Sequence, residues 1–164
     1  MAIRKIVMHP SPLLEQKCTE VVKFDKKLAK LLDDMHETMI AQDGVGIAAP
    51  QVGETIQVAI VDFDEDQDVI EMINPVVIAI GGEEIEVEGC LSFPGLYGEV
   101  KRPFYVKIEA QERNGALYEL EAEGYEARAI LHEIDHLNGI LFESKIIRVV
   151  DLQELELDEE GEEL

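Results

Sequence analysis

The chain has 164 residues, of which 46% are hydrophobic, so it can build a core of its own and wholesale disorder is excluded. Its 36 acidic and 14 basic residues give a formal net charge of −22, and such a field repels phosphate backbones and anionic lipid. Neither direct nucleic-acid binding through a broad basic patch nor a membrane partner is therefore expected.

The acidic excess is concentrated at the C-terminal end. Residues 151–164 hold eight acidic residues and no basic one, which leaves −14 for residues 1–150. We therefore expect one domain over 1–150, followed by a solvated acidic tail over 151–164.

Cysteine usage and hydropathy indicate the compartment. Two cysteines cannot form a framework of several disulfides, and residues 1–12 lack the apolar segment of a secretory signal. The longest apolar runs, such as VVIAI at 76–80, are too short to span a bilayer. The sequence therefore predicts a reduced, cytoplasmic protein.

A helix is predicted from Asp25 to Gln42, because apolar residues recur there at every third or fourth position. Asp25 is a suitable N-cap and Gly44 a suitable stop. Glycines and a proline in residues 44–53 then indicate a loop, and the apolar, β-branched segment 56–63 indicates a strand.

Extended segments continue through the middle of the chain. An acidic loop at 64–68 leads to a strand near 69–73, and two further extended stretches flank the diglycine at 81–82. Asn114-Gly115 lies between two alternating segments and predicts a β-hairpin closed by a type I′ turn, in which both residues have positive φ.

A second helix is predicted after Gly124, about 13 residues long and ending at Gly139. Two helices among antiparallel strands predict an α+β fold. In this fold the antiparallel β-sheets pack around the second helix, which is central, and the first helix is N-terminal to them.

The second helix carries the motif HEIDH at 132–136. Residues four apart share one face of a helix, so the imidazoles of His132 and His136 can converge on one metal ion. Glu133 lies beside them, where its carboxylate can take a proton from water. The sequence therefore predicts a metal-dependent hydrolase with two histidine ligands and a glutamate base.

A catalytic metal usually has three protein ligands and one open position, so the third ligand decides the class of hydrolase. Proteases that continue the motif to a third histidine need it at the position of Phe142. Other zinc proteases use a downstream glutamate, but only 28 residues follow His136 in this chain, and half of them form the acidic tail. Cys90 is the upstream alternative, since thiolate is a strong ligand for Fe²⁺ or Zn²⁺. A zincin-like endopeptidase and a non-catalytic metal-binding module are the competing interpretations.

Three segments bear on this choice: GVGIAAPQ at 44–51, EGCLS at 88–92 and HEIDHLNG at 132–139. In this order and at this spacing they resemble the three signature motifs of bacterial peptide deformylases, and HPSPLL at 9–14 resembles the family's opening. The resemblance implies a single peptide-deformylase catalytic domain over 1–150. Such a domain removes the N-formyl group from formyl-methionyl nascent peptides and releases formate.

The resemblance also implies the metal site. Cys90, His132 and His136 would bind one divalent metal ion. That ion would be Fe²⁺ in the cell, and Zn²⁺, Ni²⁺ or Co²⁺ could substitute for it, because a thiolate and two imidazoles accept all four.

The remaining implied roles concern catalysis and substrate binding. Glu133 would be the acid and base, and the Gln51 side chain and the Leu91 backbone N–H would face the formyl oxygen. The implied substrate-binding residues are Gly46, Ile47 and Gly89.

A charged network is expected behind the ligands, because a metal-bound imidazole usually donates its other N–H to a carboxylate or a carbonyl. Glu88, Arg102 and Asp135 are the candidates for it. All three lie in or near the motifs that carry the ligands.

The chain departs from the family pattern at two places. Leu131 stands where glutamine is common, which removes a polar contact but no ligand. Many relatives end in a basic helix that docks on the ribosome, whereas this tail is acidic and ribosomal RNA would repel it. We therefore expect contact with the ribosome to be transient and not to use the tail. The protein is expected to be a monomer.

Overall fold

A computed structural model of the protein describes residues 2–63 and 69–151. The predicted acidic loop at 64–68 and nearly all of the predicted tail lie outside the described residues. The described part contains two α-helices and eight β-strands: α1 Lys26–Ala41, β1 Gly46–Ala48, β2 Val58–Val61, β3 Ile70–Gly81, β4 Glu84–Cys90, β5 Phe93–Arg102, β6 Tyr105–Gln111, β7 Leu117–Glu123, α2 Gly124–Leu137 and β8 Ile146–Val150.

The strands form two antiparallel sheets. One has five strands in the order β1-β2-β3-β6-β7, and the other has three in the order β4-β5-β8. One face of α2 packs on the five-stranded sheet, while side chains from its other face bond to residues of β4 and β5. The predicted α+β fold, with its sheets around the second helix, is therefore confirmed.

The first helix follows its prediction closely. The Asp25 carboxylate accepts a hydrogen bond from the Leu28 N–H at 3.0 Å, which makes Asp25 the N-cap. The helix ends at Ala41, and Asp43, rather than the expected Gly44, takes the left-handed conformation after it, with φ of 56°. Neither described α-helix has both the length and the apolar character that crossing a bilayer requires.

Strand β2 is covered on both faces, which explains its unbroken apolar sequence. Val58 and Ile60 pack in the core beneath α1, whereas Ala59 and Val61 pack in the core beneath α2. Successive side chains of a strand point to opposite faces, so all four are fully buried. The predicted strand at 56–63 is confirmed, with shorter bounds.

The predicted loop at 44–53 is wrong in part. Gly46–Ala48 form β1, which pairs with β2 in the register Gly46 to Val61, and Ala49–Val52 form a 3₁₀ turn. A strand of three residues is too short to show an alternation of apolar and polar residues. Its extended conformation comes from the pairing with β2. This pairing brings the glycine-rich segment to the edge of the sheet.

The hairpin between β6 and β7 is confirmed, but its turn differs from the prediction. Of Asn114 and Gly115, Gly115 has positive φ, at 90°. The Gly115 N–H donates to the Glu112 carbonyl, and the Glu112 N–H donates to the Ala116 carbonyl. These bonds define a three-residue hairpin loop, in which a type I turn is followed by a glycine bulge, instead of the predicted two-residue type I′ turn.

Strands β5 and β8 were not predicted, because glycines and a proline interrupt the first of them. Gly98 is needed where they pair, since a Cβ there would lie 2.6 Å from the Ile146 side chain. The stretches on either side of residues 81–82 are strands β3 and β4, and β3 continues unbroken from the strand expected near 69–73.

Candidate active site

Three potential metal ligands meet where β4 ends against α2. One ligand atom each from Cys90, His132 and His136 lies within 4.8 Å of the others. The Cys90 Sγ is 3.3 Å from the His136 Nε2. All three residues are buried, so the cluster is shielded from bulk water.

Local structure explains this convergence. The two histidines are four residues apart on α2, and therefore lie on one face. Cys90 is the last residue of β4, where the pairing with β5 shifts register between Glu88 and Cys90. Such a bulge re-aims a side chain, and here it directs the thiol towards the helix.

The unpaired atoms of the cluster fit a divalent metal. His132 Nδ1 lies 3.0 Å from Glu88 Oε1, and because a carboxylate only accepts, the ring donates from Nδ1. The other ring nitrogen, Nε2, is buried and has no hydrogen-bond partner among the described residues, so it is the atom available to a metal ion. One thiolate and two neutral imidazoles are a donor set that suits Fe²⁺ and Zn²⁺.

The expected charged network lies directly behind the histidines. Arg102 donates to both Glu88 oxygens, at 2.5 and 3.0 Å, and to Asp135 at 2.8 Å. Burial disfavours the charged form of Glu88, but hydrogen bonds from His132 and Arg102 outweigh burial and hold the pKa of Glu88 well below its usual range. Glu88 is therefore a carboxylate that fixes the orientation of the His132 ring.

Arg128 is a member of this network that sequence reasoning missed. Its guanidinium donates to Glu88 at 2.6 Å and to the Val100 and Glu84 carbonyls at 2.8 and 2.7 Å. It thereby ties α2 to both β4 and β5. A signal was present, because Arg128 is four residues before His132 and therefore on the same helical face.

Glu133 is fully buried beside the two histidines. Both of its carboxylate oxygens are buried and have no hydrogen-bond partner among the described residues. Burial raises the pKa of Glu133 to about 7. A group that titrates near neutral pH can both accept and return a proton.

Gly46 of β1 faces Glu133 closely. A Cβ added to Gly46 would lie 2.6 Å from the Glu133 Oε2. The absence of a side chain at this position therefore makes room for the carboxylate, and this requirement is steric rather than conformational.

We expect Gly46→Ala to lower kcat by about 10–100-fold, because it displaces the carboxylate that is expected to act as acid and base, and a displacement of about 1 Å has effects of that order. Metal content should not change, since none of the three ligands is touched. Gly81→Ala is the matched control, because its Cβ would meet Tyr105 at an ordinary 3.7 Å. Steady-state kinetics with metal analysis measures both variants, and wild-type kcat in Gly46→Ala would contradict the close approach.

Gln51 extends from the turn after β1 towards the thiol. Its Oε1 accepts the Ala48 N–H at 2.9 Å, and its Nε2 is 3.2 Å from Ser92 Oγ and 3.7 Å from Cys90 Sγ. The amide nitrogen therefore points into the site. Leu91 directly follows Cys90, so its backbone N–H belongs to the peptide group that joins it to the predicted ligand.

The other predicted site residues lie around this centre. Gly89 precedes Cys90 on β4. The Ile47 side chain is fully buried in the core beneath α1, which leaves its backbone as the part that lies on the sheet edge. Phe142, at the third-histidine position of some zinc proteases, packs against the His132 ring with 5.7 Å between ring centroids.

Comparison with known proteins finds relatives that match nearly the whole chain. The family model of polypeptide deformylase matches residues 3–151. Peptide deformylase 1 of Bacillus cereus is 58% identical over 156 residues, which span 95% of this chain and 100% of that protein. Peptide deformylase 1 of Bacillus subtilis is 49% identical, over 98% of this chain and 100% of that protein.

A solved structure is similar over the same region. The crystal structure of the peptide deformylase from Thermotoga maritima matches with a TM-score of 0.85 and 39% identity, over 89% of this chain and 99% of that chain. The similarity therefore covers the architecture as well as the sequence.

Proposed function

The chain belongs to the polypeptide deformylase family, and we propose the roles by which its own residues carry out that family's reaction. The enzyme removes the N-formyl group from the N-terminal formyl-methionine of new polypeptides and releases formate. The observation that carries the assignment of roles is the buried cluster of one thiol and two imidazoles beside an unpaired carboxylate.

Cys90, His132 and His136 are proposed to hold a divalent metal, which is Fe²⁺ in the cell. Zn²⁺, Ni²⁺ or Co²⁺ can take its place, because the order of affinities for such a donor set does not favour iron. When bound, a divalent ion lowers the pKa of water and polarises a carbonyl oxygen. The unpaired Nε2 of His132 supports its part in this set.

Glu133 is proposed to move the proton. Its carboxylate accepts a proton from the water whose oxygen attacks the formyl carbon, and a new C–O bond forms. It then donates this proton to the methionine nitrogen as the C–N bond breaks. The free amine and formic acid are released, and the acid loses its remaining proton to give formate. The buried position of Glu133 and its pKa of about 7 support both transfers.

Two donors are proposed to stabilise the charge that develops on the formyl oxygen. These are the Gln51 side-chain N–H₂ and the Leu91 backbone N–H. Donors that are fixed before the reaction need no reorganisation during it, and losing one typically lowers the rate by roughly 10²–10³-fold. The bonds that hold Gln51 support this role.

The peptide is proposed to bind as an added strand. Strands β1 and β4 each stand at an end of their sheet, and each pairs with one neighbour among the described strands. Gly46 and Ile47 on β1, and Gly89 on β4, then offer backbone groups to an extended formyl-methionyl peptide.

The proposed setting follows from charge and size. Residues 1–150 act as one catalytic domain, and the protein works as a cytoplasmic monomer without a membrane partner. The net charge of −22 opposes direct binding to nucleic acid, so contact with the ribosome is transient and does not use the acidic tail.

Oxygen sensitivity tests the proposed metal. The Fe²⁺-loaded enzyme should lose activity in air within an assay series, and more slowly with catalase, because Fe²⁺ and its thiolate are open to oxidation. The Ni²⁺-loaded enzyme should keep its activity. Protein purified without oxygen should contain iron at about one atom per chain, whereas equal lifetimes of the two metal forms would contradict the proposal.

A further inference from the structure

Ser92 is a fully buried hydroxyl beside the site that has no role in the reaction as described above. Its Oγ donates to the Val7 carbonyl at 2.7 Å. It also lies 3.2 Å from Gln51 Nε2. Both partners are themselves held in place, since the Val7 N–H donates to the Gln51 backbone carbonyl at 2.7 Å.

The direction of these bonds follows from the chemistry of a hydroxyl. A serine hydroxyl has one proton to donate, and the Val7 carbonyl, which can only accept, takes it. Ser92 Oγ therefore offers only lone pairs to Gln51, and the amide must present its N–H₂ group to the serine.

The opposite end of the amide is fixed in the same way. Gln51 Oε1 accepts the Ala48 N–H at 2.9 Å, and a backbone N–H can only donate. A flipped amide would place an oxygen against Ser92 Oγ and a nitrogen against the Ala48 N–H, which breaks two buried bonds. The second amide proton then points towards Cys90 Sγ, 3.7 Å away.

We propose that Ser92 is a positioning residue for Gln51: by accepting one amide proton of Gln51, it aims the second, which points towards Cys90 Sγ, into the site where the formyl oxygen would lie. The Ser92 oxygen can accept from Gln51 because the only hydroxyl proton of Ser92 is donated to the Val7 carbonyl of the N-terminal segment. This inference rests on the proposed role of Gln51 as a donor to that oxygen. A purely structural role, in which Ser92 only anchors the N-terminal segment, predicts a loss of stability without a loss of turnover.

The first measurement compares two serine variants loaded with Ni²⁺. Ser92→Ala should lower kcat about tenfold, the effect of one lost hydrogen bond, and should change KM less than twofold. Metal content should stay at that of the wild type. Ser144→Ala is the control for the type of hydrogen bond, because the Ser144 hydroxyl also donates to a carbonyl, that of Leu141, but at an exposed position; it should leave kcat unchanged.

A double-mutant cycle separates positioning from structure. In a Gln51→Ala background, Ser92→Ala should lower kcat no further, since the group that it positions is absent. A tenfold loss of kcat from Ser92→Ala in both the wild-type and the Gln51→Ala backgrounds, or a rise in KM with unchanged kcat, would overturn the positioning role of Ser92. Either result would leave the proposed donor role of Gln51 intact. If Gln51→Ala itself keeps wild-type kcat, the proposed donor role of Gln51 is wrong, and the inference is overturned with it.

A second measurement needs no variant. In the ¹⁵N-labelled, Zn²⁺-loaded enzyme, the Nε2 protons of Gln51 should exchange with solvent far more slowly than those of an exposed glutamine, because one of them is bonded to a buried oxygen. Exchange at the rate of an exposed glutamine would show a mobile amide and would overturn the inference even if Ser92→Ala does not fold.

Discussion

Glu133→Gln should keep about one metal ion per chain and lose turnover by at least roughly 10²–10⁴-fold, the range for a lost general base. Gln is nearly the same size as Glu but cannot accept a proton at neutral pH. The Glu133 oxygens have no hydrogen-bond partner among the described residues, so the change leaves no protein donor unpaired. The variant should also bind a formyl-methionyl peptide, because the strand edges and Gln51 are untouched.

Glu126→Gln is the matched control for this experiment. Glu126 lies on the same helix as Glu133 but is exposed, so the variant should turn over at the wild-type rate. Peptide titration, metal analysis and formate release should be measured on the same preparations. Wild-type turnover in Glu133→Gln, or complete loss of its metal, would mean that Glu133 is not the base.

Cys90→Ser should weaken metal binding by more than the roughly 10–100-fold that follows loss of a ligand's hydrogen-bond partner. A neutral hydroxyl replaces a thiolate, which is the only soft and anionic member of the proposed ligand set. Activity should fall in parallel and return in part at high metal concentration. Competition with a chromogenic chelator gives the affinity, and formate release gives the activity.

Cys18→Ser controls for the general effect of replacing a buried cysteine. Cys18 packs in the core between α2 and the five-stranded sheet, and burial raises the pKa of its thiol to about 11, so it stays protonated. Its variant should lose some stability but no metal. Full metal content together with full activity in Cys90→Ser would remove Cys90 from the ligand set.

The histidine pair can be predicted from the sequence, because helical periodicity alone brings His132 and His136 to one face. Cys90 cannot be predicted in this way, since no local rule links a strand residue to a helix more than forty positions away. Resemblance to three ordered motifs supplies that link. The structure then brings the three side chains together within 4.8 Å.

What could not be predicted depends on tertiary pairing. The three-residue strand β1 owes its conformation to β2, so its sequence alone indicates a loop. The close approach of Gly46 to Glu133 depends in turn on how this edge packs on α2. The spacing of Arg128 and His132 places both on one face of α2, but the burial of Arg128 and its bond to Glu88 depend on the packing of β4 against the helix.

One paired assay distinguishes hydrolysis of a formyl amide by a metal bound in the buried cluster from cleavage of internal peptide bonds. Protein of known metal content is given a formyl-methionyl peptide and, separately, casein, before and after removal of its metal. We expect formate release that stops on metal removal and returns with Fe²⁺ or Ni²⁺, while casein stays intact. Casein cleavage without formate release would contradict this expectation and favour a zincin-like endopeptidase.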